Sequence, residues 1–158
     1  MRLYLLRHAP AVSRTEWAGP DAARPLSPDG EAVARSVAER IDSLGLGLSA
    51  VITSPYERAL QTARIVCDAM KDPVPLVEDV RLEPHQFTPE ALADILAEYP
   101  EDASIMVVGH EPSMTEVIAS VLQGGRFVLK KAGLARIDLD GRSTQTGVLK
   151  WFVPPRLL

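Results

Sequence analysis

Short apolar runs alternate with longer amphipathic stretches along most of this 158-residue chain, and this alternation restricts the folds it can adopt. The apolar runs predict strands at about residues 2–6, 50–53, 75–77 and 104–108. The stretches between and after them carry apolar residues three and four positions apart, which is typical of helices with one buried face. This order of elements favours βαβ units and a largely parallel sheet.

The last part of the chain follows a different pattern. Residues 134–139 alternate between apolar and polar, Asp140-Gly141 is a turn signal, and residues 148–153 are apolar again, which predicts an antiparallel pair of strands. We therefore expect an α/β fold, a three-layer α/β/α sandwich with a mostly parallel central sheet and an antiparallel edge near the C-terminus. No repeat or linker divides the sequence, so residues 1–158 are expected to form a single domain.

Four helix starts are predicted from local signals. Two are N-cap residues followed by proline, and two are pairs with capping-box spacing. In chain order they are Ser27-Pro28, Ser54 with Glu57, Thr88-Pro89, and Ser113 with Glu116.

Composition excludes several classes of protein. The formal net charge of −4 disfavours a nucleic-acid-binding protein, which is usually basic. Cys67 is the single cysteine, so no disulfide framework is possible and core packing is the expected role of its side chain. No apolar run approaches the length of a membrane span, and no signal-peptide pattern is present. We expect a cytoplasmic protein with no membrane or nucleic-acid partner.

Two histidines lie directly after predicted strands. Arg7-His8 follows the first strand, and His110-Glu111 follows the fourth. The carboxyl ends of parallel strands are where open α/β sheets bind ligands, although a histidine there can also simply cap the sheet.

Arg58 strengthens the ligand-binding interpretation. It lies near the start of the second helix, where the helix dipole disfavours a cation by up to about 1 kcal/mol unless an anion is bound. The helix that follows His110 offers backbone N–H groups, such as that of Glu111, to phosphate oxygens. The sequence thus predicts one anion site formed by Arg7, His8, Arg58, His110 and the backbone at Glu111.

Three segments resemble the signatures of the histidine phosphatase (phosphoglycerate mutase-like) superfamily. They are LLRHA (residues 5–9), TSPYERALQTA (residues 53–63) and VVGHEP (residues 107–112), and their order and intervals also fit. The short chain, the modest insertion between Met70 and Ser104, and the tail are most similar to the SixA-type phosphohistidine phosphatase branch.

This resemblance implies a mechanism. His8 would be the nucleophile and become transiently phosphorylated, Arg7 and Arg58 would bind the phosphoryl oxygens, and His110 would donate a hydrogen bond to the phosphoryl group. The arginines and imidazoles would supply the positive charge, so no metal or other cofactor is expected. Glu83 is the candidate proton donor by position, with a solvated loop carboxylate as the alternative.

Three further features depart from the family pattern or lie outside it. Ala9 stands where the family usually has glycine, which implies a modest change in loop geometry. His85 could join His8 and His110 as metal ligands, but no ligand-spacing motif is present and no metal site is expected. Lys130-Lys131 either borders the site or is a solvated basic pair.

The predicted function is that of a metal-independent phosphoric monoester hydrolase. The favoured substrate is a protein phosphohistidine, for example on a histidine-containing phosphotransfer domain. The alternatives are a small-molecule phosphomonoesterase of the same fold and a phosphate-binding module that has lost catalysis.

Overall fold

The computed structural model describes residues 1–144 and 146–158. Its described strands form one sheet in the order β3-β2-β4-β1-β5-β6. Strands β1 to β4 pair in parallel, while β5 runs antiparallel to both β1 and β6, so the predicted antiparallel edge is confirmed. The strand bounds are β1 Arg2–Arg7, β2 Ala50–Thr53, β3 Leu76–Glu78, β4 Ser104–Gly109, β5 Leu134–Leu139 and β6 Gly147–Val153.

Helices cover both faces of this sheet, which confirms the three-layer α/β/α architecture. Alternation along β1 sends Leu3 and Leu5 into one apolar cluster and Tyr4 and Leu6 into the other. The first cluster is completed by α3 and α4, and the second by α1 and α2. The helix bounds are α1 Pro28–Ser43, α2 Glu57–Ala69, α3 Pro89–Ala97 and α4 Ser113–Val121.

Two of the four predicted helix caps are confirmed. The Ser27 hydroxyl accepts a hydrogen bond from the Gly30 N–H of α1, and the Thr88 hydroxyl accepts one from the Ala91 N–H of α3. The capping boxes predicted at Ser54 and Ser113 are wrong.

Helix α2 begins after Tyr56 and α4 begins after Pro112, and neither of these residues makes a side-chain cap. The Ser113 hydroxyl instead accepts a hydrogen bond from the His85 N–H, and the Ser54 hydroxyl contacts His110. Each hydroxyl meets a partner distant in sequence, which the local spacing does not reveal.

Strand register brings the predicted site residues to one edge of the sheet. Arg7 of β1 pairs with Gly109 of β4, and the His8 N–H donates to the Gly109 carbonyl at 3.1 Å. The Ser54 N–H donates to the Val108 carbonyl, also at 3.1 Å, so the carboxyl end of β2 meets the same point. Within the described ranges, no helix is long and apolar enough to cross a membrane.

Candidate active site

His8 directly follows β1, and only 6% of it is exposed. Its Nδ1 lies 2.7 Å from the Ala9 carbonyl oxygen, which can only accept, so Nδ1 carries the ring proton and donates it. Burial, helped by the nearby positive charges of Arg58 and Arg7, lowers the pKa of His8 to about 3. The imidazole is therefore neutral at neutral pH, with the lone pair on Nε2.

His110 lies beside His8, with 5.2 Å between the two ring centroids. Its Nε2 is 2.9 Å from the Ser54 hydroxyl oxygen. That oxygen also accepts the Tyr56 N–H, so the Ser54 proton is free to be donated to Nε2 of His110. In this arrangement the N–H proton of the His110 ring is on Nδ1. This buried atom has no hydrogen-bond partner among the described residues. An anion in the site would provide the missing acceptor.

Burial also keeps the His110 ring uncharged. Loss of solvation is the main cause that lowers its pKa to about 2, and the charge of Arg58, like any charge on His8, acts in the same direction. His110 can therefore act as a neutral hydrogen-bond donor toward a bound phosphoryl group.

Two arginines supply the positive charge, and of these Arg58 is buried and Arg7 is half-buried. Arg7 Nη1 donates to the Leu129 carbonyl at 2.8 Å, and Arg58 Nη1 donates to the Asp21 carbonyl at 3.0 Å. Burial lowers the pKa of each guanidinium. Nε of each is buried without a partner in the part of the chain that the structure describes. Guanidinium groups held in this way are suited to binding a phosphate.

Comparison with known proteins identifies the family. The sequence model of the histidine phosphatase superfamily (branch 1) matches residues 3–87. An uncharacterised protein from Picosynechococcus is 38% identical over 138 residues, which cover 85% of this chain and 82% of that protein. This chain belongs to the histidine phosphatase superfamily.

Solved structures agree with this assignment. The protein histidine phosphatase SixA in complex with tungstate is similar with a TM-score of 0.87, at 24% identity over 99% of both chains. A candidate phosphohistidine phosphatase SixA from Agrobacterium tumefaciens has a TM-score of 0.79 at 25% identity, over 98% of this chain and 97% of that one. The resemblance to the superfamily and to its SixA-type members is thus confirmed, and together these findings support a phosphatase.

Asp21 is a site residue of this histidine phosphatase that the sequence interpretation missed. It lies in the loop between β1 and α1, and its carboxylate accepts from Arg58 Nη2 at 3.3 Å and from Arg24 Nε at 2.9 Å. Burial raises the pKa of Asp21, but the bond from Arg24 and the charge of Arg58 lower it more, so the group stays ionised. The loop has no periodic pattern from which a partner for Arg58 could be predicted.

Thr62 connects the residue after His8 to α2 and was also missed. Its hydroxyl donates to the Arg58 carbonyl at 2.7 Å and accepts the Ala9 N–H at 3.1 Å. Ala9 itself is fully buried in the cluster between the sheet and α1 and α2. The residue that replaces the usual glycine is thus packed against the core on one side and tied to α2 on the other.

The two candidate glutamates have different surroundings. Glu111 lies between His110 and α4, where burial raises the pKa of its carboxyl and the charge of Arg7 partly opposes this shift. One of its carboxylate oxygens accepts from the Thr115 hydroxyl at 2.6 Å, and the other is buried without a described partner. The expected binding of phosphate by the Glu111 backbone stays a prediction.

Glu83 lies in the turn after β3, close to the carboxyl end of β4. Its neighbour Leu82 directs a carbonyl toward Gly109, but the Glu83 carboxylate has no hydrogen-bond or ion-pair partner among residues 1–144 and 146–158. Its role as proton donor stays a prediction.

His85 and Lys131 have different surroundings. The structure gives His85 an exposed position with a backbone φ of 68°, and the described residues contain no group of three or more histidine, cysteine or acidic side chains that could hold a metal ion. Lys131 borders the site, because its charge is one of those that lower the pKa of His8, after the larger effect of burial.

Proposed function

We propose that this protein is a phosphohistidine phosphatase that acts on phosphorylated proteins through a covalent intermediate on His8. The observation that carries the proposal is the hydrogen bond from Nδ1 of His8 to the Ala9 carbonyl, which leaves Nε2 as an unprotonated nucleophile in a site with unpaired donors. Imidazole nitrogen becomes a good nucleophile when its other nitrogen is held protonated in this way.

The first chemical step transfers the phosphoryl group to the enzyme. The lone pair of His8 Nε2 forms a bond to phosphorus while the bond from phosphorus to the leaving nitrogen of the substrate breaks. The Arg7 and Arg58 guanidinium groups and Nδ1–H of His110 bind the phosphoryl oxygens and stabilise the charge as it shifts. The leaving imidazole takes a proton from Glu83, the proposed donor, and departs with the substrate protein.

The second step regenerates the enzyme. A water molecule attacks the phosphorus of phospho-His8 and passes one proton to the Glu83 carboxylate. The bond from phosphorus to Nε2 breaks, and inorganic phosphate leaves with the remaining hydroxyl group. The burial that keeps His8 neutral before the reaction also restores its neutral form afterwards.

A phosphohistidine substrate suits a site whose proposed proton donor, Glu83, is not held in place by a described partner. Imidazole is a better leaving group than an alkoxide, so the reaction needs less help from a general acid. The Glu83 carboxylate, which is proposed here as the donor, has no described partner that would orient it. An alkyl phosphate ester would demand more of this residue than a phosphohistidine would.

We also propose that catalysis needs no metal and takes place in the cytoplasm. The positive charge that phosphoryl transfer requires is available from Arg7 and Arg58. The lone Cys67 is a free thiol whose pKa is raised by burial to about 11, which makes it unreactive and fits a protein with no redox role.

The test of the proposed function is the trapped intermediate. Wild-type protein incubated with a histidine-phosphorylated phosphotransfer domain should release phosphate and carry an acid-labile, alkali-stable phosphoryl group, with or without EDTA. His8→Ala should lose the phospho-enzyme and at least about 10³-fold of the turnover, since the nucleophile is gone. His85→Ala, which changes an exposed histidine, is the matched control and should retain both.

Three outcomes would contradict the proposal. Retained turnover in His8→Ala would exclude His8 as the nucleophile. Hydrolysis of sugar phosphates or nucleotides but not of the phosphoprotein would identify a small-molecule phosphomonoesterase. Binding of phosphate or vanadate without any turnover would identify a binding module.

A further inference from the structure

A groove of about 690 Å³ opens beside the candidate active site. Its walls come from residues 128–131, which precede β5, and from residues 152–156 at the end of β6 and beyond. Arg7, the first of the two site arginines, is one of its lining residues. The groove thus adjoins a residue that is proposed to bind the substrate's phosphoryl group.

The groove is strongly basic in a protein that is acidic overall. Arg7, Lys130, Lys131 and Arg156 line it, and none of the described lining residues is acidic, although the chain has a formal net charge of −4. A local concentration of cations on an acidic protein attracts a negatively charged partner and repels a basic one.

The remaining lining residues are apolar, and each is at least partly exposed. Val128 is 69% exposed, and Phe152 is half-buried with its ring 6.0 Å from that of Phe127. Pro154 and Pro155 continue the apolar surface. Such a surface contributes little to the binding of a small phosphorylated metabolite. A protein partner, in contrast, can bury its own apolar side chains there.

The groove is also physically joined to the catalytic residues. Arg7 donates to the Leu129 carbonyl, and the Arg7 carbonyl accepts from the Ala132 N–H, so segment 128–132 is held against the end of β1. A macromolecule that presents a phosphorylated side chain to His8 can therefore lay its neighbouring surface on this groove.

We propose that this groove docks the surface next to the phosphohistidine of the substrate protein, and that this surface is acidic with at least one exposed apolar side chain. The inference rests on the proposed function and specifies the chemistry of its substrate. Lys130 and Arg156 attract the acidic side chains of the substrate protein. Val128 and Phe152 pack against its apolar side chain.

The test compares a protein substrate with a small one. Lys130→Glu/Arg156→Glu reverses two groove charges that do not belong to the catalytic group, and Lys150→Glu/Arg64→Glu reverses two exposed charges elsewhere. The substrates are a histidine-phosphorylated phosphotransfer domain of net negative charge and free phosphohistidine. The groove variant should lose tenfold or more in kcat/KM on the protein, mainly through KM, and change less than twofold on phosphohistidine. The control variant should change less than twofold on both.

A second variant tests the apolar part. Val128→Asp replaces an exposed side chain, so the fold should tolerate it, and it should also raise KM for the phosphoprotein severalfold without affecting phosphohistidine. The kcat/KM of the wild type on the phosphoprotein should fall as salt is added, and this dependence should be weaker in the charge-reversed variant.

The possible results separate this inference from the proposed function. A wild type that hydrolyses neither phosphohistidine substrate overturns the proposed function. A wild type that hydrolyses both, with groove variants that match it on the phosphoprotein, overturns only the docking role. Equal losses on both substrates would mean that the groove binds part of the small substrate. A dimer seen by sedimentation in the wild type and lost in the groove variant would mean that a second copy of this chain is the occupant.

Discussion

His110 and Ser54 show how a single hydroxyl can determine the chemistry of a site. The Ser54 oxygen accepts the Tyr56 N–H at 3.2 Å and lies 2.9 Å from Nε2 of His110, so its proton is directed at that nitrogen. This arrangement favours the ring form in which Nδ1 is the donor. A ring with its proton on Nε2 would present a lone pair to the phosphoryl oxygens and repel them.

Replacement of Ser54 by alanine should therefore impair catalysis more than it impairs binding. We expect Ser54→Ala to lower kcat roughly tenfold to a hundredfold with a small change in KM, because a donor to the transition state is lost or misoriented. Ser104→Ala is the matched control, since Ser104 is equally buried and its hydroxyl has no described partner. Steady-state kinetics and the ¹⁵N chemical shifts of His110 check the prediction, and unchanged shifts in Ser54→Ala would contradict it.

At the scale of elements, α1 closely approaches the loop after β1 and thereby supports the backbone next to His8. The Pro10 carbonyl accepts from the Ser27 N–H at 3.1 Å, and a Cβ added at Gly30 would lie 1.7 Å from the same oxygen. The first turn of α1 thus rests directly on the backbone two residues after His8. Glycine is required here because of the approach of another backbone, and not because of its own dihedral angles.

Gly30→Ala should therefore destabilise the protein, although the same change in an open helix stabilises it by up to about 1 kcal/mol. We expect a loss of about 2 kcal/mol or more in the free energy of unfolding, because the backbone carbonyl must move to make room. Ser36→Ala, at an exposed position of α1, should change stability by less than about 0.5 kcal/mol. Urea denaturation measures both, and equal stability of the two variants would contradict the close approach.

The elements themselves were largely predictable from local patterns. The bounds expected for β2 and β5 agree with the structure, and the caps at Ser27 and Thr88 were found because each acts within its own helix start. The capping boxes at Ser54 and Ser113 were wrong because both hydroxyls bind residues on other elements. Local spacing predicts a local bond but cannot show that a tertiary partner competes for the same oxygen.

At the scale of the whole molecule, the fold buries two histidine side chains in their neutral form. Burial lowers the pKa of His8 to about 3 and that of His110 to about 2, whereas an unfolded histidine titrates near 6.5. Below pH 6.5 the unfolded chain therefore binds more protons at these positions than the folded chain does. The free energy of unfolding must then rise with pH, and its histidine contribution is lost progressively as pH falls from about 6.5 toward 3.

Between pH 6 and 4.5 the stability should fall by roughly 1 kcal/mol per pH unit for each buried histidine. Asp21 and Asp79, whose pKa values are lowered, add to this effect only at still lower pH. His8→Asn/His110→Asn should have a clearly smaller slope, and His85→Asn should keep the slope of the wild type. Urea titrations in phosphate-free buffer check this, and a shared slope in wild type and double variant would mean that the imidazoles are charged in the folded state.

The sequence by itself determined the order of strands and helices and the placement of Arg7, His8, Arg58 and His110 at strand ends or a helix start. Those features depend on periodicity and on neighbours close in the chain, and both can be recognised in the sequence. Only the tertiary structure decided that Asp21 holds Arg58, that Ser54 orients His110, and that cations gather in a groove on an acidic protein. The physical reason is that these contacts join residues 37 and 56 positions apart, across a loop and between strands, where no local pattern records the partner.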